Sequence, residues 1–178
     1  MGSNLGSAAG DAAATLSAAL RALAASGLTL RRVSRFFATP CFPAGAGPDY
    51  VNACAILRGA GSPGTVLERL HSIEAAFDRA RTSRWGSRTL DLDLLAMGDL
   101  VQPDRRTFDH WQALPLETQM QVTPDQLILP HPRLQDRAFV LVPLCDVAPH
   151  WRHPVLGRTV RQMTDALPLE LKQDVIAL

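Results

Sequence analysis

Apolar residues recur along this chain in two patterns, one with the period of a helix and one with the period of a strand. The helical pattern predicts a first helix over residues 11–26, with Asp11 as the residue that caps its start. It predicts a second helix from the capping-box pair Thr65 and Glu68 to about Arg79. Both helices have one apolar stripe, which must pack on another element.

Alternation of apolar and polar residues predicts three strands, over residues 28–38, Tyr50–Leu57 and 89–97. A loop rich in proline and glycine, residues 40–48, separates the first two. The apolar run over residues 138–147 has no decisive period, although Pro143 disfavours a central strand. The order of these elements predicts an α+β fold in which helices cover a mainly antiparallel sheet.

The remaining segments carry weaker signals. No element is predicted for the polar residues 98–126, and residues 130–132 are expected to form a turn. The tail from Gly157 is expected to be partly helical and peripheral. At 178 residues the chain is long enough for one well-buried core, so we expect residues 1–178 to form a single domain.

The third predicted strand carries the candidate chemistry. Its leucines face one way, which places Asp91 and Asp93 side by side on the opposite face. Two adjacent carboxylates repel each other, and a hard cation such as Mg²⁺ neutralises them well. Taken alone, the pattern is more typical of acids that keep an exposed strand soluble or protect its edge.

Four arginines lead into the same strand, at positions 79, 81, 84 and 88. Guanidinium groups bind phosphate oxygens, so carboxylates and arginines together indicate a site for ATP. Salt bridges with the acids are the alternative role for these arginines. Trp85 lies among them, as either a ligand contact or a loop residue packed on the core.

Two other places are candidate binding positions. Tyr50 and Asn52 share one face of their strand, where a ring and an amide suit a planar heterocycle. On local evidence alone, a hydrogen-bonded surface pair is the preferred interpretation. His131 lies between two prolines on a tight turn. His150 and His153 have no third ligand nearby in the sequence, so we interpret them as structural.

The composition limits the classes of partner. A net charge of +1 gives no overall attraction to nucleic acid or to an acidic membrane. Three widely spaced cysteines argue against a disulfide framework and fit a reducing cytoplasm. No apolar run approaches membrane-spanning length.

Known nucleotide-binding motifs do not explain the site. The glycines at 2 and 6 match neither the P-loop nor the dinucleotide-binding pattern. A nucleotidyltransferase needs a Gly-Ser a short loop before the acids, and neither Gly86-Ser87 nor Gly2-Ser3 is suitably spaced. A catalytically silent binding module remains an alternative.

Taken in order, several segments resemble the 6-hydroxymethyl-7,8-dihydropterin pyrophosphokinase family. The resemblance covers most of residues 2–157, and Trp85 to Asp93 is its most specific part. The matching segments are 2–6 (Gly-Ser-Asn-Leu-Gly), 39–40 (Thr-Pro), 48–52 (Pro-Asp-Tyr-Val-Asn), 84–93, 129–134 (Leu-Pro-His-Pro-Arg-Leu) and 137–144.

The resemblance implies a ferredoxin-like three-layer α/β/α sandwich and a monomeric cytoplasmic enzyme. The enzyme would transfer pyrophosphate from ATP to the hydroxymethyl group of the pterin, releasing AMP, in tetrahydrofolate biosynthesis. Its partners would be these two small molecules, without nucleic acid or membrane. An inactive or binding-only member, truncated at its N-terminus, is the alternative.

The resemblance also assigns roles by position. Asp91 and Asp93 would bind two Mg²⁺ ions. The catalytic arginines would be Arg79, Arg81 and Arg88. The ATP-binding residues would be Arg84, Arg88, Leu94, His131 and Arg137. The pterin-binding residues would be Thr39, Pro40, Phe42, Tyr50, Asn52, Trp85 and Phe139.

Two departures from the family pattern stand out. Family members have an apolar strand before the Gly-Ser-Asn segment, and only Met1 precedes it here, so we expect a first strand to be missing from this chain. Residues 100–126 are longer than the corresponding family segment and are expected to form an inserted surface loop or a lid. Residues 158–178 would form the peripheral tail.

Overall fold

The computed structural model describes residues 1–41, 47–59, 61–77 and 89–178. Its strands are β1 (Gly2–Ser3), β2 (Thr29–Val33), β3 (Phe37–Thr39), β4 (Tyr50–Asn52), β5 (Ala55–Arg58) and β6 (Ile176–Ala177). Its helices are α1 (Ala12–Ala25), α2 (Pro63–Ala76), α3 (Arg105–Ala113), α4 (Leu116–Gln121), α5 (Ala138–Val147), α6 (Val160–Ala166) and α7 (Leu169–Gln173). Helices and antiparallel strands are mixed along the chain, which confirms the predicted α+β class.

The strands form two antiparallel sheets. One has four strands in the order β1-β4-β3-β6, and the other pairs β2 with β5. In the first sheet Gly2 lies opposite Asn52, which in turn lies opposite Phe37. Gly2 also forms an isolated antiparallel bridge with Asp91. The short strand β1 therefore lies between β4 and the segment that carries the acidic residues.

The first two predicted strands are both interrupted. The prediction over residues 28–38 becomes β2 and β3, and that over Tyr50–Leu57 becomes β4 and β5. At the break, the Ser34 N–H donates to the Cys54 carbonyl, and the Cys54 N–H donates to the Ser34 hydroxyl, each at 2.9 Å. Because a side chain replaces a backbone carbonyl in this pair, the ladder breaks and the hairpin passes from one sheet to the other.

Cap residues define the first two helices. Asp11 accepts a backbone N–H at 2.8 Å, and α1 ends before Gly27, whose φ of 85° suits glycine, so the predicted helix is confirmed. The second helix begins earlier than predicted because Ser62 is its cap and accepts the Thr65 N–H at 3.2 Å. The predicted capping box at Thr65 is therefore wrong, and Pro63 occupies the first helical position.

The predicted strand over residues 89–97 is also wrong. These residues are described throughout, and the only bridge that they form is the one between Asp91 and Gly2. Their other backbone groups have partners outside strands: the Leu92 N–H donates to a Glu74 carboxylate oxygen at 2.7 Å. The Leu95 carbonyl accepts the His131 N–H at 2.8 Å. The segment is extended, but a helix and a turn supply part of its hydrogen bonding.

Both undecided segments contain helices. The apolar run is α5, with Pro143 inside it, and residues 98–126 contain α3 and α4. Phe108 of α3 is fully buried, and its ring centroid lies 5.6 Å from that of His153. The polar segment is thus anchored to the core through one aromatic residue. No helix in the described ranges is both long enough and apolar enough to cross a membrane.

Two clusters of buried side chains form the core. The first packs α1 and α2 against the sheet and the acidic segment, and it includes Leu16, Leu23, Leu70, Leu90 and Leu92. The second packs α5 against α6 and includes Leu134, Leu141, Leu144, Val160 and Met163. Strand β6 follows α6 and α7 in the sequence and pairs with β3. The end of the chain therefore returns to the four-stranded sheet.

Cys54 and His153 are buried polar groups that remain neutral. Burial raises the pKa of the Cys54 thiol to about 11. Burial lowers the pKa of His153 from its usual 6.5 to about 4. His153 Nδ1 accepts the N–H groups of Val155 and Leu156, each at 3.2 Å, so the neutral ring carries its proton on Nε2. Protonation of Nδ1 would break both hydrogen bonds.

We predict that the free energy of unfolding falls as the pH is lowered through the range set by His153. Its pKa is lower in the folded state than the usual 6.5, so the unfolded chain takes up the proton first. The contribution of neutral His153 to the free energy of unfolding is fully present above pH 6.5. It decreases by about 2 kcal/mol by about pH 5. Urea unfolding of His153→Gln should show a weaker pH dependence. The same change at His71, which is exposed on α2, is the control.

Candidate substrate and metal site

The acidic segment has one buried face and one accessible face. Leu90 and Leu92 are 0% and 5% exposed, whereas Asp91 is half-buried and Asp93 is exposed. This confirms the predicted alternation, with leucines in the core and carboxylates on the other side. Two accessible carboxylates separated by one residue provide the oxygen ligands that Mg²⁺ prefers.

Backbone hydrogen bonds fix the start of this segment against β1. The Gly2 N–H donates to the Asp91 carbonyl at 2.9 Å, and the Asp91 N–H donates to the Gly2 carbonyl at 2.8 Å. The Ser3 hydroxyl donates to the Thr89 carbonyl at 2.6 Å. Asp91 is therefore held one strand away from Asn52, since Gly2 pairs with both residues.

Gly2 has room for no side chain. A Cβ atom at this position would lie 2.6 Å from the Asn52 side-chain oxygen and 3.8 Å from a ring carbon of Tyr50. Its backbone therefore passes directly beside the two residues of the predicted pterin face. A residue with a side chain would displace the Asn52 amide from this position.

Thr39 of β3 and Asn52 of β4 form a buried polar pair. Asn52 is 8% exposed and its amide donates to the Thr39 hydroxyl at 2.7 Å. Tyr50 pairs with Thr39 across the two strands and is half-buried, and Pro40, next along the chain, is exposed. A side-chain amide has two N–H donors, and the bond to Thr39 uses one of them. The second N–H could therefore bind the polar edge of a heterocycle.

Arg137 and Phe139 lie at the start of α5. The Arg137 guanidinium carbon lies 5.6 Å from the centroid of the Phe139 ring. Phe139 is 40% exposed. Burial lowers the pKa of Arg137, and the nearby charge of Asp93 opposes that shift. A cation at the edge of a low-dielectric region interacts strongly with an anionic ligand.

His131 is held as a neutral ring. Burial lowers its pKa to about 4, the charge of Asp93 opposes that shift, and the charge of Arg137 reinforces it. Its Nδ1 accepts the Arg133 N–H at 3.1 Å, so the proton of the neutral ring is on Nε2. His131 is therefore a hydrogen-bond donor through Nε2, fixed between the two prolines of its turn.

Four predicted site residues lie close enough for their charges to interact. Asp93 acts on His131 and Arg137, and Asp91 acts on Arg137. Within the described ranges, no group of three or more histidine, cysteine or acidic side chains suited to a metal is present.

Six predicted site residues lie outside the described residues. They are Phe42, Arg79, Arg81, Arg84, Trp85 and Arg88. Their predicted roles remain predictions.

The sequence reasoning missed Glu74. Its side chain is 1% exposed on α2 and accepts the N–H of Leu92, the residue between the two acids. A signal was present in the helix pattern, since Glu74 is four residues after Leu70 and lies on the stripe that faces the core. An acid at a core-facing position indicates a specific partner.

An apolar cavity of about 620 Å³ lies between β5 and the acidic segment. Leu94, predicted to bind ATP, lines this cavity and is half-buried. Other lining residues are Met1, Ala55, Leu57, Leu92 and Ala96. Met1, which precedes β1 and lines this cavity, donates through its amino group to the Ala53 carbonyl at 3.0 Å.

Comparison with known proteins identifies the family. A model of the 7,8-dihydro-6-hydroxymethylpterin-pyrophosphokinase (HPPK) family matches residues 1–149. The 2-amino-4-hydroxy-6-hydroxymethyldihydropteridine pyrophosphokinase of Synechocystis sp. is 37% identical over 139 residues, 78% of this chain and 60% of that protein. The protein of the same name from Methylorubrum extorquens is 35% identical over 159 residues, 89% of this chain and 87% of the relative.

A third relative of that name, from Pseudomonas aeruginosa, is 38% identical over 123 residues, 69% of this chain and 63% of the relative. The chain belongs to the HPPK family, which confirms the resemblance seen in the sequence. The match spans about 60% of the length of the Synechocystis relative.

We predict that Gly2→Ala destabilises the fold by about 1–3 kcal/mol, because the added methyl group would collide with the Asn52 amide. The Gly64→Ala variant is the control. A Cβ there would lie 3.8 Å from its nearest neighbour, inside α2, so that change should be neutral or stabilising by up to about 1 kcal/mol. Urea unfolding of both variants measures the difference. Equal stabilities would mean that Asn52 is not held against Gly2.

Proposed function

We propose that this chain transfers the terminal pyrophosphate of ATP to the hydroxymethyl group of 6-hydroxymethyl-7,8-dihydropterin, with release of AMP, in tetrahydrofolate biosynthesis. The observation that carries the proposal is the double pairing of Gly2, with Asn52 on one side and Asp91 on the other. It joins a polar face suited to a heterocycle to an acidic pair suited to phosphate-bound metal. Membership in the HPPK family supports the same reaction.

Asp91 and Asp93 are the residues that would bind two Mg²⁺ ions. The donor set fits, because two carboxylates project from a segment whose leucines are buried. When bound, the metal would neutralise phosphate charge and polarise phosphoryl oxygens. The contribution of the chain is to hold the two carboxylates at a fixed spacing on a backbone that Gly2 anchors.

The pterin would be held between the rings of Tyr50 and Phe139. Asn52 and Thr39 are buried and hydrogen-bonded to each other, so they offer oriented polar groups rather than mobile ones. Pro40 continues the same edge, and Phe42 and Trp85 would complete it. Phe139 has the exposure that a stacking residue requires.

The triphosphate would be bound by cations and by one neutral donor. Arg137 supplies positive charge from a partly buried position, and His131 supplies its Nε2–H. A neutral histidine donates to an oxygen without competing with metal for the charge of Asp93. Leu94 would contact the nucleotide from the neighbouring segment. The arginines of the preceding loop, Arg79, Arg81, Arg84 and Arg88, would close over the phosphates.

We further propose that the complete fold is a ferredoxin-like three-layer sandwich and that an apolar strand upstream of Met1 completes it. The antiparallel register supports this. Continued beyond Met1, it would carry upstream residues past Ala55 on one side and Leu94 on the other. Both line the 620 Å³ cavity. A strand there would supply apolar side chains to a space that is already lined by leucines.

Residues 1–178 would form one domain, with residues 100–126 as a surface insertion anchored by Phe108 and residues 158–178 as its tail. The chain would act as a monomer in the cytoplasm. Its three cysteines lack disulfide spacing, which fits a reducing compartment. A binding-only member of the same family is the alternative, and activity distinguishes the two.

We predict that incubation with ATP and hydroxymethyl-dihydropterin yields AMP, and that Asp91→Asn and Asp93→Asn each lower the rate at least about 100-fold. Separation of the nucleotides measures this, because ADP would instead indicate an ordinary kinase. The control is Asp99→Asn, at an exposed acid beyond the segment. Calorimetry of Mg²⁺-dependent ATP binding tests the alternative of a binding-only member. ATP binding that is unchanged in Asp91→Asn and Asp93→Asn would favour that alternative.

We predict that a version extended upstream along its reading frame is more stable than this chain by at least about 3 kcal/mol, since each buried apolar side chain contributes about 1.5–3 kcal/mol. Urea unfolding and binding of an apolar dye measure stability and cavity filling. An extension of the same length made of glycine and serine is the control. The strand proposal fails if the upstream residues are polar or if they leave both measurements unchanged.

A further inference from the structure

We propose that Glu74 is a positioning residue, which sets the spacing of Asp91 and Asp93 by binding the backbone between them. The inference rests on the proposed function, since it assumes that this acidic pair binds the metal of the reaction. Glu74 belongs to α2, a helix to which neither the sequence analysis nor the proposed reaction assigned a site residue.

The contact is buried at both ends. A carboxylate oxygen of Glu74 lies 2.7 Å from the Leu92 nitrogen, with Glu74 1% exposed and Leu92 5% exposed. A charged acceptor makes a shorter and stronger hydrogen bond to an N–H than a neutral one does. A carboxylate is also costly to bury, so its place in the core indicates that it serves a defined partner.

The two edges of the acidic segment are held by different elements. Successive N–H groups of an extended chain point to opposite edges, and here the Asp91 N–H donates to Gly2 while the Leu92 N–H donates to Glu74. The backbone is thus fixed from β1 on one side and from α2 on the other.

This arrangement gives Glu74 an effect on metal binding without contact to the metal. The Asp91 and Asp93 side chains leave the backbone on the same face, one residue to each side of Leu92. Rotation of the Leu92 peptide would change the distance between their carboxylates. A fixed peptide keeps them at one spacing before substrate binds, so less ordering is required when metal and triphosphate arrive.

The test uses variants of Glu74 that separate the hydrogen bond from the charge. Glu74→Gln keeps an acceptor of the same reach, and Glu74→Leu removes the acceptor at similar volume. Glu74→Asp keeps the charge but shortens the side chain, so its oxygen no longer reaches the Leu92 N–H. The control is Glu68→Gln, at an exposed position on the same helix.

The readout is the Mg²⁺ concentration that gives half-maximal AMP formation at saturating ATP, together with the KM for the pterin. We expect the half-maximal Mg²⁺ concentration to rise roughly tenfold in the Leu and Asp variants and to stay within about threefold in the Gln variant. The pterin KM should be unchanged in all of them. A merely structural role would lower stability without this selective change in Mg²⁺ dependence.

Two results would overturn the inference: Mg²⁺ dependence in Glu74→Asp equal to that of the wild type, or equal shifts in the Gln and Asp variants. Glu74→Asp and Glu74→Gln are sufficient for this comparison if the Leu variant does not fold. The Asp91→Asn variant, measured beside them, distinguishes failure of the proposed function from failure of the positioning role of Glu74. If it also leaves Mg²⁺ dependence unchanged, the proposed function fails; if only the Glu74 variants do, the positioning role alone is wrong.

Discussion

The pair of backbone hydrogen bonds between Gly2 and Asp91 is the constraint on which the arrangement of the site depends. A two-residue strand makes few contacts of its own, yet it pairs with β4 on one side and with the acidic segment on the other. Without that double pairing, the Asn52 face and the carboxylates would belong to separate parts of the surface. The absence of a Cβ at Gly2 permits the approach, because the Asn52 amide occupies the space that a side chain would need.

The ionisable side chains near the Gly2–Asp91 pairing differ in their exposure to solvent. Asp93 is exposed, whereas burial lowers the pKa values of His131 and Arg137. The histidine is consequently neutral at physiological pH, and the cationic character of this part of the site comes from arginine. Such a site attracts an anion through a guanidinium whose charge is weakly screened, and it keeps a carboxylate accessible to a hydrated cation.

Local signals in the sequence predicted the parts of the fold that local interactions determine. The cap at Asp11 and the alternation of leucine and aspartate from Leu90 to Asp93 are both present in the structure. Predictions failed where a distant side chain supplies a hydrogen bond. Ser34 interrupts two strands by accepting the Cys54 N–H, and Glu74 accepts the Leu92 N–H from a separate helix. Neither partner is visible in a window of neighbouring residues. The apolar run of α5 was undecided because a helix buried on most sides has no polar face to reveal its period.

The position of Cys54 at the junction of the two sheets has a consequence for chemical labelling. With its pKa raised to about 11, this thiol is almost entirely protonated at neutral pH, and its sulfur is enclosed by the second cluster of the core. Alkylating reagents attack the thiolate, so they can modify Cys54 only during moments when the two sheets separate at Ser34. Its alkylation rate, relative to that of the half-buried Cys145, would therefore report how often the hairpin opens at that junction.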